Sequence, residues 1–172
     1  MSRVKILCSG EVHHGLQYGS GRTVCENYDK DDPRSGLFFT DTDHVFEWLH
    51  CGHHVRPVID AEDVVQVAPG NWKASALTLG PQKSLASLVA RFDTDEAAVA
   101  FHPHTIRCLS YPSERAQLAA VQANWTTIRH ISAPPELVQY AAIQQSWYAI
   151  VWIRNPTPLM QEIARTLSSK EE

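Results

Sequence analysis

Three stretches toward the C-terminus align residue for residue at a constant offset of 22: TIRCLSYPSERAQLAAVQANW, TIRHISAPPELVQYAAIQQSW and AIVWIRNPTPLMQEIARTL. Ile106, Ile128 and Ile150 correspond, as do Leu109, Ile131 and Ile153, and Pro112, Pro134 and Pro156. Gln117, Gln139 and Gln161 continue the pattern, with Ala120, Ala142 and Ala164, and with Trp125 and Trp147. A half unit precedes them at Ala97, Ala98 and Val99. A proline in each unit removes a backbone donor and clashes with the preceding turn, so no continuous helix runs through. The spacing therefore predicts two short helices per unit with a corner at the proline. Ile at i and Leu or Ile at i+3 give the first helix one apolar face. Ser113, Pro135 and Thr157 open the second, where Ser and Thr cap well and Pro fits the first turn. Glu114 and Glu136 follow at the positive end of the helix dipole.

Helices this short are marginal alone and survive by stacking on the next unit. The last unit reads as a cap: Glu162 stands where earlier units have Leu118 and Tyr140, and Arg165 where they have Val121 and Ile143. Arg107 and Arg129 occupy equivalent positions, and Trp125, Trp147 and Trp152 are large. Together these five are candidates for a binding face with aromatic and arginine anchors. The plainer alternative packs the tryptophans between units and leaves the arginines as a solvated edge.

Residues 1–80 carry a different pattern. VKIL, GLFFT, VRPVI, VVQV and ASALTL are short β-type runs bounded by Gly, Pro, Asp or Asn. TDHVFEWLHCG between them reads as one helix, capped by Asp41 or Thr42 and stopped at Gly52. GPQKSLASLVARF reads as a helix over 81–92 that leads into the units. The expected organisation is α+β: a small mixed or antiparallel sheet domain at 1–80, a connecting helix at 81–92, and a short α-helical array at 93–172.

Charge narrows the functional classes. Residues 1–99 hold 9 Lys or Arg against 14 Asp or Glu, and residues 100–172 hold 6 against 5. Neither half is basic enough to grip DNA by neutralising phosphates. The four cysteines, Cys8, Cys25, Cys51 and Cys108, include no CxxC pair. The opening apolar run is shorter than a signal peptide needs, and no run approaches a membrane span. A soluble, reduced, cytoplasmic chain is expected, and the sequence leaves its oligomeric state open. Cys25, His50, Cys51 and His54 have the chemistry of zinc ligands. CGHH is a lone cluster, however, where structural zinc sites show two spaced pairs. A helix terminus with His at its negative dipole end accounts for it equally.

The segment from GLQYG to LTLG resembles a domain of unknown function found in large DNA viruses and phages. The shared features are GLFFT, the helix ending in WLHCGHH, the strand at Val55 to Val58, and NWKA. The C-terminal units resemble short helical repeats, also of unknown function, in similar viral and bacterial proteins. These resemblances imply a viral or phage-type protein and carry no activity with them. Gly36 to Thr40 followed by the Trp48 helix also looks like the central strand and helix of ADP-ribosyltransferase-like domains. That likeness implies NAD as cofactor, with His13 or His14 contacting it, Thr40 in the same cleft, and Glu62 stabilising an oxocarbenium-like state. The departures are that the early His lies outside a clear strand and that Glu62 sits in the turn-like DAED.

Three functions follow as expectations. The first is a non-enzymatic adaptor or host-interaction module that binds an unidentified protein through the array. The second is an ADP-ribosyl transferase, which requires His13 or His14, Thr40 and Glu62 to converge. The third is a virion or structural component.

Overall fold

The computed structural model describes residues 2–13 and 15–170, His13 by its backbone only. The chain divides into two compact units, Met1–Leu88 and Val89–Glu172. The first is an antiparallel sheet and the second is helical, so the chain is α+β.

In the first unit the strands are β1 (Arg3–Leu7), β2 (Val12–His13), β3 (Leu16–Gln17), β4 (Gly21–Val24), β5 (Leu37–Asp41) and β6 (His54–Glu62), then β7 (Val65–Ala68), β8 (Asn71–Ala74), β9 (Ala76–Leu79) and β10 (Lys83–Ser84). The sheet runs β4-β9-β6-β1-β5-β8-β7, with β10 also against β6, while β2 and β3 form a separate hairpin. Four of the five β-type runs fall in one strand to within a terminal residue, and ASALTL is split between the end of β8 and β9. One face buries Leu7, Leu37, Phe39 and Ala74 with Tyr18, Leu77 and Leu79. The segment Val45–Cys51 packs against β1 and buries Val45, Phe46 and Leu49. Burying each such side chain contributes about 1.5–3 kcal/mol.

That segment is a 3₁₀ helix rather than an α-helix, with Gly52 N–H donating to the Leu49 carbonyl. Its buried Phe46 and Leu49 are three apart and so eclipse on one side, as 3₁₀ geometry requires. The Asp41 carboxylate, still within β5, accepts from the N–H groups of Asp43 and His44 and fixes the turn into it. Gly52 is needed for close approach: a Cβ there would overlap the Leu7 carbonyl. Gly70 is needed twice over, because its φ is +68 and a Cβ would enter the His44 ring.

The helix expected over 81–92 shrinks to α1 (Ala86–Val89). Lys83 and Ser84 are taken by the sheet instead, paired with Val55 and His54. Backbone pairing to β6 overrides the local helical pattern there.

In the second unit, 3₁₀ and α segments alternate. α2 (Asp95–Phe101) is followed by a 3₁₀ turn at Pro103–Cys108, and α3 (Glu114–Ala123) by one at Trp125–His130. α4 (Glu136–Gln145) is followed by a turn at Trp147–Trp152, and α5 (Pro158–Ser168) closes the unit. Ser113 and Thr157 cap α3 and α5 through their hydroxyls, while Pro135 opens α4 without a side-chain cap. Ala116, Ala120, Val121, Ile128, Val138, Ala142, Ile143 and Ala149 form one core with no measurable exposure. Adjacent α-helices touch, as do adjacent 3₁₀ turns, which gives two parallel rows.

Candidate functional site

The row of 3₁₀ turns carries all five residues expected to bind: Arg107 in the first turn, Trp125 and Arg129 in the second, and Trp147 and Trp152 in the third. Each turn begins from an extended residue, His102, Asn124 or Ser146. His102 Nδ1 accepts the His104 N–H, and Asn124 Oδ1 accepts the Thr126 N–H, which fixes the first two turns. Thr105, Thr127 and Ala149 point inward and are fully buried, beside Ile106, Ile128 and the partly buried Ile150. The outer side changes character along the row.

At one end it is cationic. The His102 and His104 rings lie 5.6 Å apart, and His104 and His130 lie 6.2 Å apart. Arg129 Nε donates to His130 Nε2 at 3.1 Å, so His130 serves there as a neutral acceptor. Burial first, then Arg129, Arg107 and His104, push the His130 pKa down to about 4. Burial, then His102, Arg129 and Arg107, lower that of His104. Every charge acting on these two rings is positive. At the other end the row is apolar and open: Tyr148, Val151 and Trp152 are exposed, Trp152 by 45%. Tyr148 and Val151 are three apart and share one side of their turn. Trp125 is partly buried against the core. Trp147 is half-buried and meets Tyr148 edge to face at 5.8 Å. Arg129 is exposed and Arg107 half-buried.

The first unit holds a cavity of about 390 Å³. Backbone pairing of β1 with β5 covers only Arg3–Asp41 and Val4–Thr40, while β1 continues along β6 to Leu7–His54. The cavity lies where the two strands part, walled by Ile6, Phe38, Trp48, Val67 and Trp72 among others, with Lys5 and Cys51 also lining it. Lys5 Nζ donates to the Phe38 carbonyl at 2.7 Å and lies 4.5 Å from the Tyr18 ring centroid. Burial lowers its pKa to about 8, with the Cys51 thiol acting weakly the other way. Neither Lys5 nor the cavity was legible in the sequence, where Lys5 is one polar residue in the strand RVKIL.

Thr40 and Glu62, expected in one transferase cleft, are not brought together. Thr40 lines the cavity, and its buried hydroxyl donates to the Gly70 carbonyl. In register, Thr40 stands beside Val4, and Val4 beside Pro57 on β6. Glu62 lies five residues farther along β6, roughly 17 Å at the usual strand rise. Its carboxylate is held by Arg22 at 2.8 Å on the exposed β4 side, and that hydrogen bond keeps it below the usual carboxylate range. His14 and the His13 side chain lie outside the described residues.

The zinc candidates also part company. His54 is buried against Glu11, Cys51 lines the cavity, His50 is exposed near the Trp48 ring, and Cys25 packs at the edge of the sheet core. Among the described residues no three His, Cys, Asp or Glu side chains form a group that could hold a metal ion. Nor is any described helix long and apolar enough to cross a membrane.

An antiparallel-sheet unit carrying a lined cavity, followed by a helical unit with a cationic and aromatic row, is thus the class of protein defined here. The chain is similar to "Putative ankyrin repeat protein R868" of Acanthamoeba polyphaga mimivirus, 34% identical over 59 residues. The match covers 31% of this chain and 29% of the mimiviral protein, so the chain spans less than a third of that relative. No family model matches the chain. No solved structure matches it.

Proposed function

We propose that the chain is a non-enzymatic protein-interaction module of viral type. In this reading residues 93–172 are an array of 22-residue units, each a 3₁₀ turn followed by an α-helix. The outer side of the turns takes a partner segment that is acidic at one end and apolar at the other.

The unit length is supported by the starts of the turns at Pro103, Trp125 and Trp147, and of the helices at Glu114, Glu136 and Pro158. Equivalent positions share their surroundings. Ala120, Ala142 and Ala164 are buried, and so are Ala116, Val138 and Met160. Gln117, Gln139 and Gln161 each donate through Nε2 to the carbonyl of their own unit's proline, Pro112, Pro134 and Pro156. That bond explains why the glutamine recurs: it clamps the corner where the backbone leaves the turn. The likeness to a protein described as an ankyrin repeat protein fits a repeat-built binding surface.

One observation carries the reading. Tyr148, Val151 and Trp152 stand exposed on the row that bears Arg129 and His130 one unit earlier. The fold asks for no aromatic there, since the inward positions are filled by Ile150 and Ala149. Solvent-facing Trp and Tyr beside Arg is the composition of binding hot spots.

Selection of a displayed random-peptide library on the full-length chain tests this. Enriched peptides should combine Asp or Glu with aliphatic or aromatic residues. Trp152→Ala and Arg129→Glu should each weaken them by about tenfold or more. No enrichment, or peptides that bind both variants as well as the native chain, defeats the proposal.

A further inference from the structure

We propose that the cavity between β1 and β5 is a binding site for a small monocarboxylate with an apolar tail, its carboxylate held by the Lys5 ammonium.

Among the described residues the sheet buries three lysine or arginine side chains, and they are used differently. Arg56 gives hydrogen bonds to Glu11, Ser20 and the Gly80 carbonyl, and its charge is matched by Glu11 at 2.7 Å. Lys73 donates to the carbonyls of Asp29 and Asp32 and so pins the acidic loop onto β8. Both have plain structural tasks. Lys5, only 2% exposed, donates one hydrogen bond, to the Phe38 carbonyl, and otherwise rests on the uncharged Tyr18 ring at 4.5 Å. An ammonium has three N–H donors, and a buried charge is costly unless it is paired. Among the described residues the one ionisable neighbour that acts on it is the Cys51 thiol, which burial keeps in its neutral form. A carboxylate would supply the missing countercharge and accept the remaining donors.

The cavity beside it fits the rest of such a ligand. Ile6, Phe38, Trp48, Val67 and Trp72 present apolar walls. A volume of about 390 Å³ falls within the usual range for small-molecule sites. Trp48 and Val67 at the wall are themselves partly open to solvent, 38% and 43%, which leaves a way in. The site is mostly apolar with one convergent charge, and that combination selects amphipathic anions over sugars, nucleotides or free phosphate.

The test is calorimetric titration of the full chain with octanoate and, separately, with 1-octanol. Octanoate should bind, and more tightly than octanol. Lys5→Met keeps the length and apolar stem of the side chain and removes the charge. It should weaken octanoate by about tenfold or more, the worth of a charge-assisted hydrogen bond, and leave octanol unchanged. If Lys5→Met does not fold, as judged by circular dichroism, Val67→Asp decides. This substitution sits at an exposed wall position and places a like charge beside the carboxylate, so octanoate binding should be lost. No binding of octanoate to the native chain overturns the proposal. So does equal binding of octanol, or octanoate binding that survives whichever variant folds.

Discussion

Truncating one isoleucine at three equivalent positions tests the array more sharply than any single change. Ile106 and Ile128 are 1% and 0% exposed, while Ile150 is only partly buried against the same core. Ile→Ala in a closed core costs about 2–5 kcal/mol, set by how far the surroundings collapse. Ile128 lies in the middle turn, with α3 and α4 packed against it and a 3₁₀ turn on either side. Collapse is most restricted there, so Ile128→Ala should cost about 4 kcal/mol, toward the upper end of that range. Ile106→Ala should cost about 3 kcal/mol. Ile150→Ala, where solvent already reaches the side chain, should cost about 1 kcal/mol, near the mean for point substitutions. Urea unfolding followed at 222 nm weights the helical unit, because the first unit is mostly strand. The midpoint should move and the slope should not. An Ile150→Ala cost equal to that of Ile128→Ala, or an Ile128→Ala cost below about 1 kcal/mol, would refute the view that the central unit is held from both sides.

Further expectations follow from individual contacts. Glu11→Gln leaves Arg56 without its countercharge in a mostly buried setting and should cost about 3 kcal/mol by chemical denaturation. The double variant Glu11→Gln with Arg56→Met should recover part of that loss. Gly70→Ala forces a left-handed backbone and an overlap with the His44 ring, so it should cost about 1–3 kcal/mol in the same assay. His130 titrates lower in the folded chain than unfolded, at about 4 against 6.5, so the unfolded state takes up the proton first as pH falls. Its contribution is therefore whole above pH 6.5 and declines below it. The melting temperature of the native chain should drop more between pH 7 and pH 5 than that of His130→Gln, and an equal drop would contradict the assignment.

Legibility tracked the range of the interaction. Strand runs, the stop at Gly52 and the cap hydroxyls of Ser113 and Thr157 are local matters, and a local pattern displays them. The glutamine periodicity was visible, but its bond to the proline carbonyl was not, because spacing alone does not say which way a side chain turns. Two expected helices came out as 3₁₀ or shortened. In the first case an i, i+3 stripe serves both helix types. In the second the neighbour that won, β6, lies some thirty residues away in sequence. Lys5 and Lys73 were missed for one shared reason. Alternation marks a strand's second face as solvent-facing, but along β1 and at the Lys73–Ala74 end of β8 consecutive residues are buried, so a polar residue at an outward position ends up covered.

The same distinction bears on the transferase likeness. The run from Gly36 to Trp48 folds as a strand followed by a 3₁₀ segment, which is a local matter. A transferase site needs more than a strand and a helix: a carboxylate must reach the cleft beside Thr40. Whether it does depends on strand order and register, and here β1 stands between β5 and β6 while Glu62 lies well beyond the Thr40 row. The group that does reach that cleft is Lys5, from β1 itself. A buried ammonium has the charge to attract an anion. The anion binding proposed for Lys5 thus draws on the one charged side chain, among the described residues, that lines the cavity beside Thr40.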